Sequence, residues 1–236
     1  MADIFGIALL DYYHGNYSED IKTHSSLEEE DRIPLPYLFR SFEEMPQLEQ
    51  KALELARGEV LDIGAGSGSH SLFLQEKGFQ VTALDSSKGA IEVCKLRGLQ
   101  SVSQSSIMDH SGRQYDTLLL LMNGIGLAGK IESLEGFLLH LKSLLKPDGQ
   151  ILMDSSDIIY MFDEDDDGGF WVPGNTNYYG EVTFYLEYKN DKSDPFDWLY
   201  VDFETLKTHC EKVNLDCELV ISGEHYDYLA KLSVKT

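Results

Sequence analysis

Positive charge is what this sequence has least of: 19 Lys and Arg stand against 41 Asp and Glu, a formal net charge of −22. A surface that follows nucleic-acid phosphates or anionic lipid recruits clustered cations, so neither partner is expected here, and small molecules or cationic groups remain. Cysteine is scarce too. Cys94, Cys210 and Cys217 are odd in number and form no CxxC pair, which excludes a disulfide framework, gives no support to a metal site and fits buried thiols in a reducing cytosol. No apolar run is long enough to cross a bilayer. The start, "MADIFGIALLD", has no basic region and its apolar stretch stops at Asp11, so the expectation is a soluble, unprocessed, cytoplasmic protein. Internal repeats and low-complexity linkers are absent as well.

What is present is length and alternation. A chain of 236 residues can bury a sizeable core as one large α/β domain carrying an insertion or a small cap. Residues 59–154 read as strand and helix in turn: "EVLDI", "SHSLFLQEKG", "FQVTALD", "SKGAIEVCKLRG", "SVSQ", "YDTLLLLM", "IESLEGFLLHLKSLLKPDG", "QILMD". That order predicts a doubly wound, mostly parallel sheet, and near-continuous apolar strands such as 117–122 suit a sheet covered on both faces. Gly78, Gly98 and the "KPDG" run fall where helices should stop. Ahead of the series, "MPQLEQKALELARG" places Leu48, Ala52, Leu55 and Ala56 on one helical face, starting near Pro46 and ending at Gly58.

The two flanks are less regular. Residues 1–43 read as an N-terminal flap, with "DIFGIALLDYYHG" as a short helix and "RIPLPYLFRS" as an extended crossing. The main domain is then 44–236, interrupted by an insertion at about 158–200. That insertion begins with the acidic, Gly-rich and aromatic segment 160–180 and continues into strand-like "EVTFYLEYKN" and "FDWLYVD". A helix, "FETLKTHCEKVNL", and a closing pair of strands complete the chain. The run "DEDDDGG" reads as a solvated loop, since it lacks the ligand period of a calcium loop.

The chemistry gathers at "VLDIGAGSGSHSLFL". Alternating glycines let the backbone approach a ligand at a strand end before launching a helix. A dinucleotide fingerprint counted from Gly64 would need its third glycine at position 69, where Ser69 stands. Asp62, two residues before the loop, would repel a pyrophosphate and favour an ammonium or sulfonium. Asp85, ending the next strand, is placed to accept bonds from both hydroxyls of a ribose. Each acid has a plainer reading, Asp62 as a buttress of the loop and Asp85 as a helix cap.

With "VTALDSS", "YDTLLLLMNGIG" and "LLKPDGQILMD" added, the stretch 59–154 resembles the class I S-adenosylmethionine-dependent methyltransferases, whose closing strand pair the C-terminus also resembles. The resemblance implies a Rossmann-like seven-stranded sheet with a C-terminal antiparallel strand, and S-adenosylmethionine as cofactor. It implies that Gly64, Ala65 and Gly66 lie under the methionine part, that Asp62 helps hold its amino group, and that Asp85 binds the ribose with Ser86 beside the adenine. In "SQSSIMD" the adenine partner is Ser106, next to Ile107, or else Asp109; Met122 and Asn123 would border the methyl group. The stretch "MNGIG" is not the "NPPY"-type motif of base methylases.

The function expected is methyl transfer to a small molecule. A non-catalytic binding protein and a nicotinamide oxidoreductase are the alternatives. Arg40 is assigned either to the cofactor's methionine carboxylate or to a surface pair with Glu43 or Glu44. The strand ends carrying Asp62, Asp85, Asn123 and Asp154 share one edge of the sheet, and an acceptor pocket is expected there, bounded by Tyr13, Asn123, Trp171 and His225. His225 is the candidate base or orienting group and Tyr13 its catalytic companion, while His70, His140 and His209 read as structural or exposed. An acidic, aromatic lining favours a cationic or neutral acceptor.

Overall fold

The first helix, α1 (Ile4–Tyr13), is apolar nearly all round; Ile4, Ala8 and Leu9 turn inward, while Ile7 and Tyr13 are exposed. Asp3 caps it by accepting from the Gly6 N–H at 3.0 Å. The computed structural model describes residues 3–235 apart from 28–29, 164, 166–168 and 173–176. After α1 come two strands, β1 (Ile21–Ser25) and β2 (Glu30–Ile33), and a short helix, α2 (Leu35–Leu38). The extended crossing expected at "RIPLPYLFRS" is therefore half strand and half helix. Pro36 stands in the first turn of α2, where its fixed φ favours a helix and its missing N–H costs nothing.

The series that follows keeps the expected order. It runs α3 (Gln47–Leu55), β3 (Glu59–Ile63), α4 (Ser69–Glu76), β4 (Gln80–Asp85), α5 (Lys88–Leu96), β5 (Val102–Gln104), β6 (Tyr115–Leu120), α6 (Leu134–Ser143) and β7 (Leu145–Ser156). Strands β8 (Glu181–Tyr188), β9 (Asp191–Lys192) and β10 (Phe196–Leu199) occupy the insertion. Helix α7 (Phe203–Lys212) and the hairpin β11 (Leu215–Ser222) and β12 (Asp227–Val234) close the chain.

Seven strands form one sheet in the order β11-β12-β7-β6-β3-β4-β5. The pairs from β7 to β5 are parallel, and β12 runs antiparallel to both β7 and β11. Its central strands are apolar on both faces because α6 and α7 cover one side and α3 and α4 the other: Leu118 and Leu120 join the first cluster, Leu119 and Leu121 the second. The arrangement is the Rossmann-like α/β fold expected from the alternation.

The flap and the insertion, separate in sequence, build a second sheet together. Its order is β10-β8-β1-β2, with β9 added to β8, and β1 pairs antiparallel with β8 through Lys22 opposite Glu187 and His24 opposite Tyr185. One face of it is charged. Glu187 takes Lys22 at 3.2 Å and Lys192 at 3.0 Å, and these hydrogen bonds, that from Lys192 first, hold its carboxyl down at about 2. The other face carries Ile21 and Tyr188 onto α1. Helix α1 in turn lies on α5, where Gly6 and Gly89 come so close that a Cβ on Gly89 would sit 2.5 Å from the Gly6 carbonyl carbon.

Candidate active site

The glycine loop leaves β3 and folds under the tip of β4. The N–H groups of Gly64 and Ala65 both donate to the Leu84 carbonyl, at 2.8 and 3.0 Å. Gly64, Gly66 and Gly68 all have positive φ, yet they serve different ends. A Cβ at Gly68 would meet Leu99 at 2.7 Å and the Cys94 sulfur at 3.0 Å, so this glycine is needed for packing. Above the other two there is room: a Cβ at Gly64 would meet only Leu127, at 3.9 Å, and one at Gly66 would meet Phe5 at 3.7 Å. Backbone is thus offered to a ligand between Phe5 and Leu127, two apolar side chains that sequence reading did not single out.

Asp85 is buried and accepts from the Gly66 N–H at 2.9 Å and the Ser87 N–H at 2.8 Å. Burial raises its pKa, the two N–H groups lower it, and Asp3 and Asp62 push it up again. Ser86 is exposed beside it. Asp62 is also buried, and Ser71 on α4 donates to it at 2.6 Å. Its pKa too is raised by burial, against the opposing influence of His70 and the Ser71 hydrogen bond. Both acids therefore buttress the loop, and both lie where a cation would relieve them. Ser106 is exposed and its hydroxyl caps the turn at Met108, whereas the Ile107 side chain sits in the core with its carbonyl taken by His140 at 2.8 Å. Asp109 is exposed on the same turn.

Arg40 corrects one of its expected roles, the surface pair. It is only 6% exposed and pairs with neither Glu43 nor Glu44. One guanidinium nitrogen donates to the Tyr37 carbonyl at 2.6 Å, and the other grips both oxygens of Glu49, which also accepts from His70 Nε2 at 2.7 Å. Burial alone would raise the Glu49 pKa, but His70 and Arg40 outweigh it and hold the carboxyl below its usual range. With Glu49 so engaged, only the buried Arg40 Nε is left without a partner among the described residues, so two-pronged binding of a carboxylate is closed off. Sequence reading missed Glu49 and did not pair His70. The one available signal was an acid beside Leu48 on the apolar side of α3.

Beyond β3, the edge continues over β6 and β7. Met122 and Asn123, both at positive φ, turn the chain so that the N–H groups of Asn123 and Gly124 reach Asp154 Oδ1 at 2.8 and 3.3 Å. The Asn123 amide donates to the Leu199 carbonyl at 3.3 Å, and its own oxygen is buried with no partner among the described residues. The insertion arches over this edge. Trp198 lies against Gly126, and Phe184 packs between Phe196 and Tyr200 with ring centroids 6.3 and 6.4 Å away. Burial, together with Tyr160 and Asp31, raises the Tyr200 hydroxyl to about 12.

Tyr13 ends α1, two turns beyond Phe5, and its hydroxyl donates to the Leu96 carbonyl at 3.0 Å, at the far end of α5. Trp171 is 72% exposed and tied by its backbone to the Asp163 carbonyl. His225 is exposed on the β11–β12 turn, its backbone bound to Asp227 at 3.1 Å, and that turn does return to the strand-end edge, with Asp227 opposite Ser156. The acidic run 163–169 falls largely outside the described residues.

A family model described as a methyltransferase domain matches residues 37–187. The fold, the glycine loop and this match agree. The chain is an S-adenosylmethionine-dependent methyltransferase. A solved S-adenosylmethionine-dependent methyltransferase from Bacteroides fragilis, in complex with S-adenosyl-L-homocysteine, is 46% identical with a TM-score of 0.92, covering 99% of this chain and 95% of that one. The CcbJ methyltransferase from Streptomyces caelestis shares the fold at 12% identity, with a TM-score of 0.64 over 81% of this chain and 91% of its own. The ubiquinone biosynthesis O-methyltransferase of Rickettsia conorii is 28% identical over 60% of this chain. The match spans about half the length of that relative, 51%. Membership of this family brings S-adenosylmethionine, in place of a nicotinamide, as the cofactor.

Proposed function

We propose that this methyltransferase acts on a small molecule held over the carboxyl ends of β6 and β7. The observation that carries the reading is the second sheet's hold on that edge, where Asn123 donates to the Leu199 carbonyl and Trp198 lies against Gly126, with Phe184 packed beside Tyr200; an edge covered in this way suits a small acceptor. The name of the Rickettsia relative, an O-methyltransferase of ubiquinone biosynthesis, agrees with an acceptor of this size.

When bound, S-adenosylmethionine supplies a methyl group on a positively charged sulfur, already a good leaving group. The residues present fit it: open backbone at Gly64, Ala65 and Gly66, and buried acids that lack a cation. In this reading Asp85 gives its remaining lone pairs to the ribose, and Ser86, with Ser106 or Asp109, flanks the adenine. Ile107 contributes backbone only, because its side chain is spent in the core. Asp62 favours the amino group through charge, and Arg40 offers its free Nε to the carboxylate. Met122 and Asn123 border the transfer point. Excluding water and aligning the nucleophile are then the protein's main contributions.

The test is to supply radiolabelled S-adenosylmethionine to the enzyme in a cell extract and separate the extract by size. Label is expected in the fraction of small molecules. Label confined to protein or nucleic acid would overturn the reading.

A further inference from the structure

One carboxylate at the strand-end edge is not used by the cofactor roles above. Asp154 follows the last β7 residue paired with β6, two strands away from the glycine loop, with β6 between them. With Met122 and Asn123 bordering the transfer point in the reading above, the acceptor lies toward Asn123 and Asp154. Asp154 is deep in the fold but keeps part of its side chain open. Its Oδ1 is filled by two backbone N–H groups, whereas Oδ2 makes no hydrogen bond among the described residues. Beside it, Asn123 Oδ1 is buried and likewise lacks a donor.

Two acceptor atoms without a donor, on residues joined by the Asn123 N–H to Asp154 bond, call for a ligand group with more than one hydrogen to give. A hydroxyl has one. An amine has two, or three when protonated. The surroundings add a preference for positive charge: the groups facing Asp154 are Tyr37 on α2, Glu49 on α3 and His70 on α4, and the single guanidinium among them, Arg40, is already committed to Glu49. The aromatic arch supplies faces suited to a cation.

Resting on the proposed function above, we propose that the methyl acceptor is an amine, that Asn123 Oδ1 and Asp154 Oδ2 receive its N–H groups, and that Asp154 frees its lone pair. The carboxylate takes one proton from the ammonium. The nitrogen lone pair then forms the bond to the methyl carbon while the sulfur–carbon pair returns to sulfur, leaving a neutral thioether. The product departs as a methylated ammonium, and Asp154 gives its proton to water. Burial first, with Glu49 adding, pushes the Asp154 carboxyl up to about 7, which lets it trade a proton near neutrality.

The experiment needs no acceptor. Sinefungin is a cofactor analogue with a carbon bearing a primary amine in place of the methylated sulfur, and S-adenosylhomocysteine has the same adenosine and amino-acid ends but lacks that cation. Calorimetry on the wild type at pH 7.5 is expected to show sinefungin at least about tenfold tighter. In Asp154→Asn that preference should vanish while S-adenosylhomocysteine affinity holds within about threefold. Equal affinities in the wild type, or a preference that survives in Asp154→Asn, would overturn the proposal. A second readout uses the wild type alone. In buffers of different ionisation enthalpy, sinefungin should release protons at pH 7, and less at pH 8.5, as the cation displaces the proton of Asp154; no release at pH 7 overturns it as well. If S-adenosylhomocysteine itself fails to bind, the cofactor roles fail, and this proposal falls with them.

Discussion

The two halves of the site are assembled over very different lengths of chain. On the cofactor side, Asp85 reaches Gly66 across 19 positions, within one strand-loop-helix unit and the next strand. On the acceptor side, Lys22 meets Glu187 across 165 positions, and Asn123 is fixed by a carbonyl from the insertion 76 positions away. Local motifs thus build the proposed cofactor half, while long-range pairing builds the proposed acceptor half. Between them lies the ion triad of Arg40, Glu49 and His70, which ties the N-terminal segment to the start of α4. Ser67 and Ser69 strengthen the same seam by donating to the Leu38 carbonyl, Ser69 at 2.9 Å, so residues 35–40 are bonded into the loop and are not a free cover.

The sharpest way to break the comparison is at that seam. Glu49→Gln removes one carboxylate from between a buried guanidinium and an imidazole and should cost about 3 to 5 kcal/mol by urea unfolding at pH 7. Because the Glu49 pKa is depressed in the folded state, its contribution is present above the unfolded carboxyl pKa and is lost as pH falls through the lower, folded value. The variant's deficit should therefore shrink in acid. A deficit independent of pH would detach the effect from this charge.

Within the glycine loop, the two kinds of glycine should separate. Gly68→Ala places a methyl group 2.7 Å from Leu99 at a positive φ and is expected to lose about 2 to 4 kcal/mol of stability. Gly66→Ala meets only Phe5 at ordinary contact and should lose about 1 kcal/mol, yet bind S-adenosylhomocysteine at least about tenfold more weakly. Similar losses of stability in both variants would erase the distinction between packing and ligand backbone.

Asp154→Asn tests the acceptor side by the opposite sign. A carboxyl raised to about 7 stabilises the fold fully below its unfolded pKa and loses that contribution as pH rises through 7. The variant should thus be more stable than the wild type at pH 8, by on the order of 1 to 2 kcal/mol, and gain nothing at pH 4. The smallest effect is expected at Tyr13→Phe. It removes a partly exposed hydrogen bond to Leu96 and should change stability by less than about 1 kcal/mol and cofactor affinity not at all. A large loss of cofactor affinity would return Tyr13 to the site.

The legible parts share a physical character. The alternation over 59–154, the glycines of the loop and the acids at two strand tips are patterns of period and spacing, and each is enforced within a few residues by sterics and hydrogen-bonding geometry. Arg40 was visible as a rare cation, but its partner was not. Glu49 sits nine positions away on another helix, and a sequence full of acids gives no means of choosing among them. Tyr13 misled for a related reason: aromatic identity says nothing of direction, and two further turns of α1 carry Tyr13 to the Leu96 carbonyl, beyond the edge that Phe5 reaches.

By itself, then, the sequence determined the doubly wound sheet, its cofactor loop and the charge that favours a cationic ligand, because these rest on short-range backbone preferences and on composition. Only the tertiary structure decided that the flap and the insertion share one sheet and that Glu49 claims Arg40. It alone left Asn123 and Asp154 with acceptor atoms that no described residue satisfies. Such pairings must repay the entropy of closing long loops, and which ones do so depends on the whole packed arrangement and not on any segment of it.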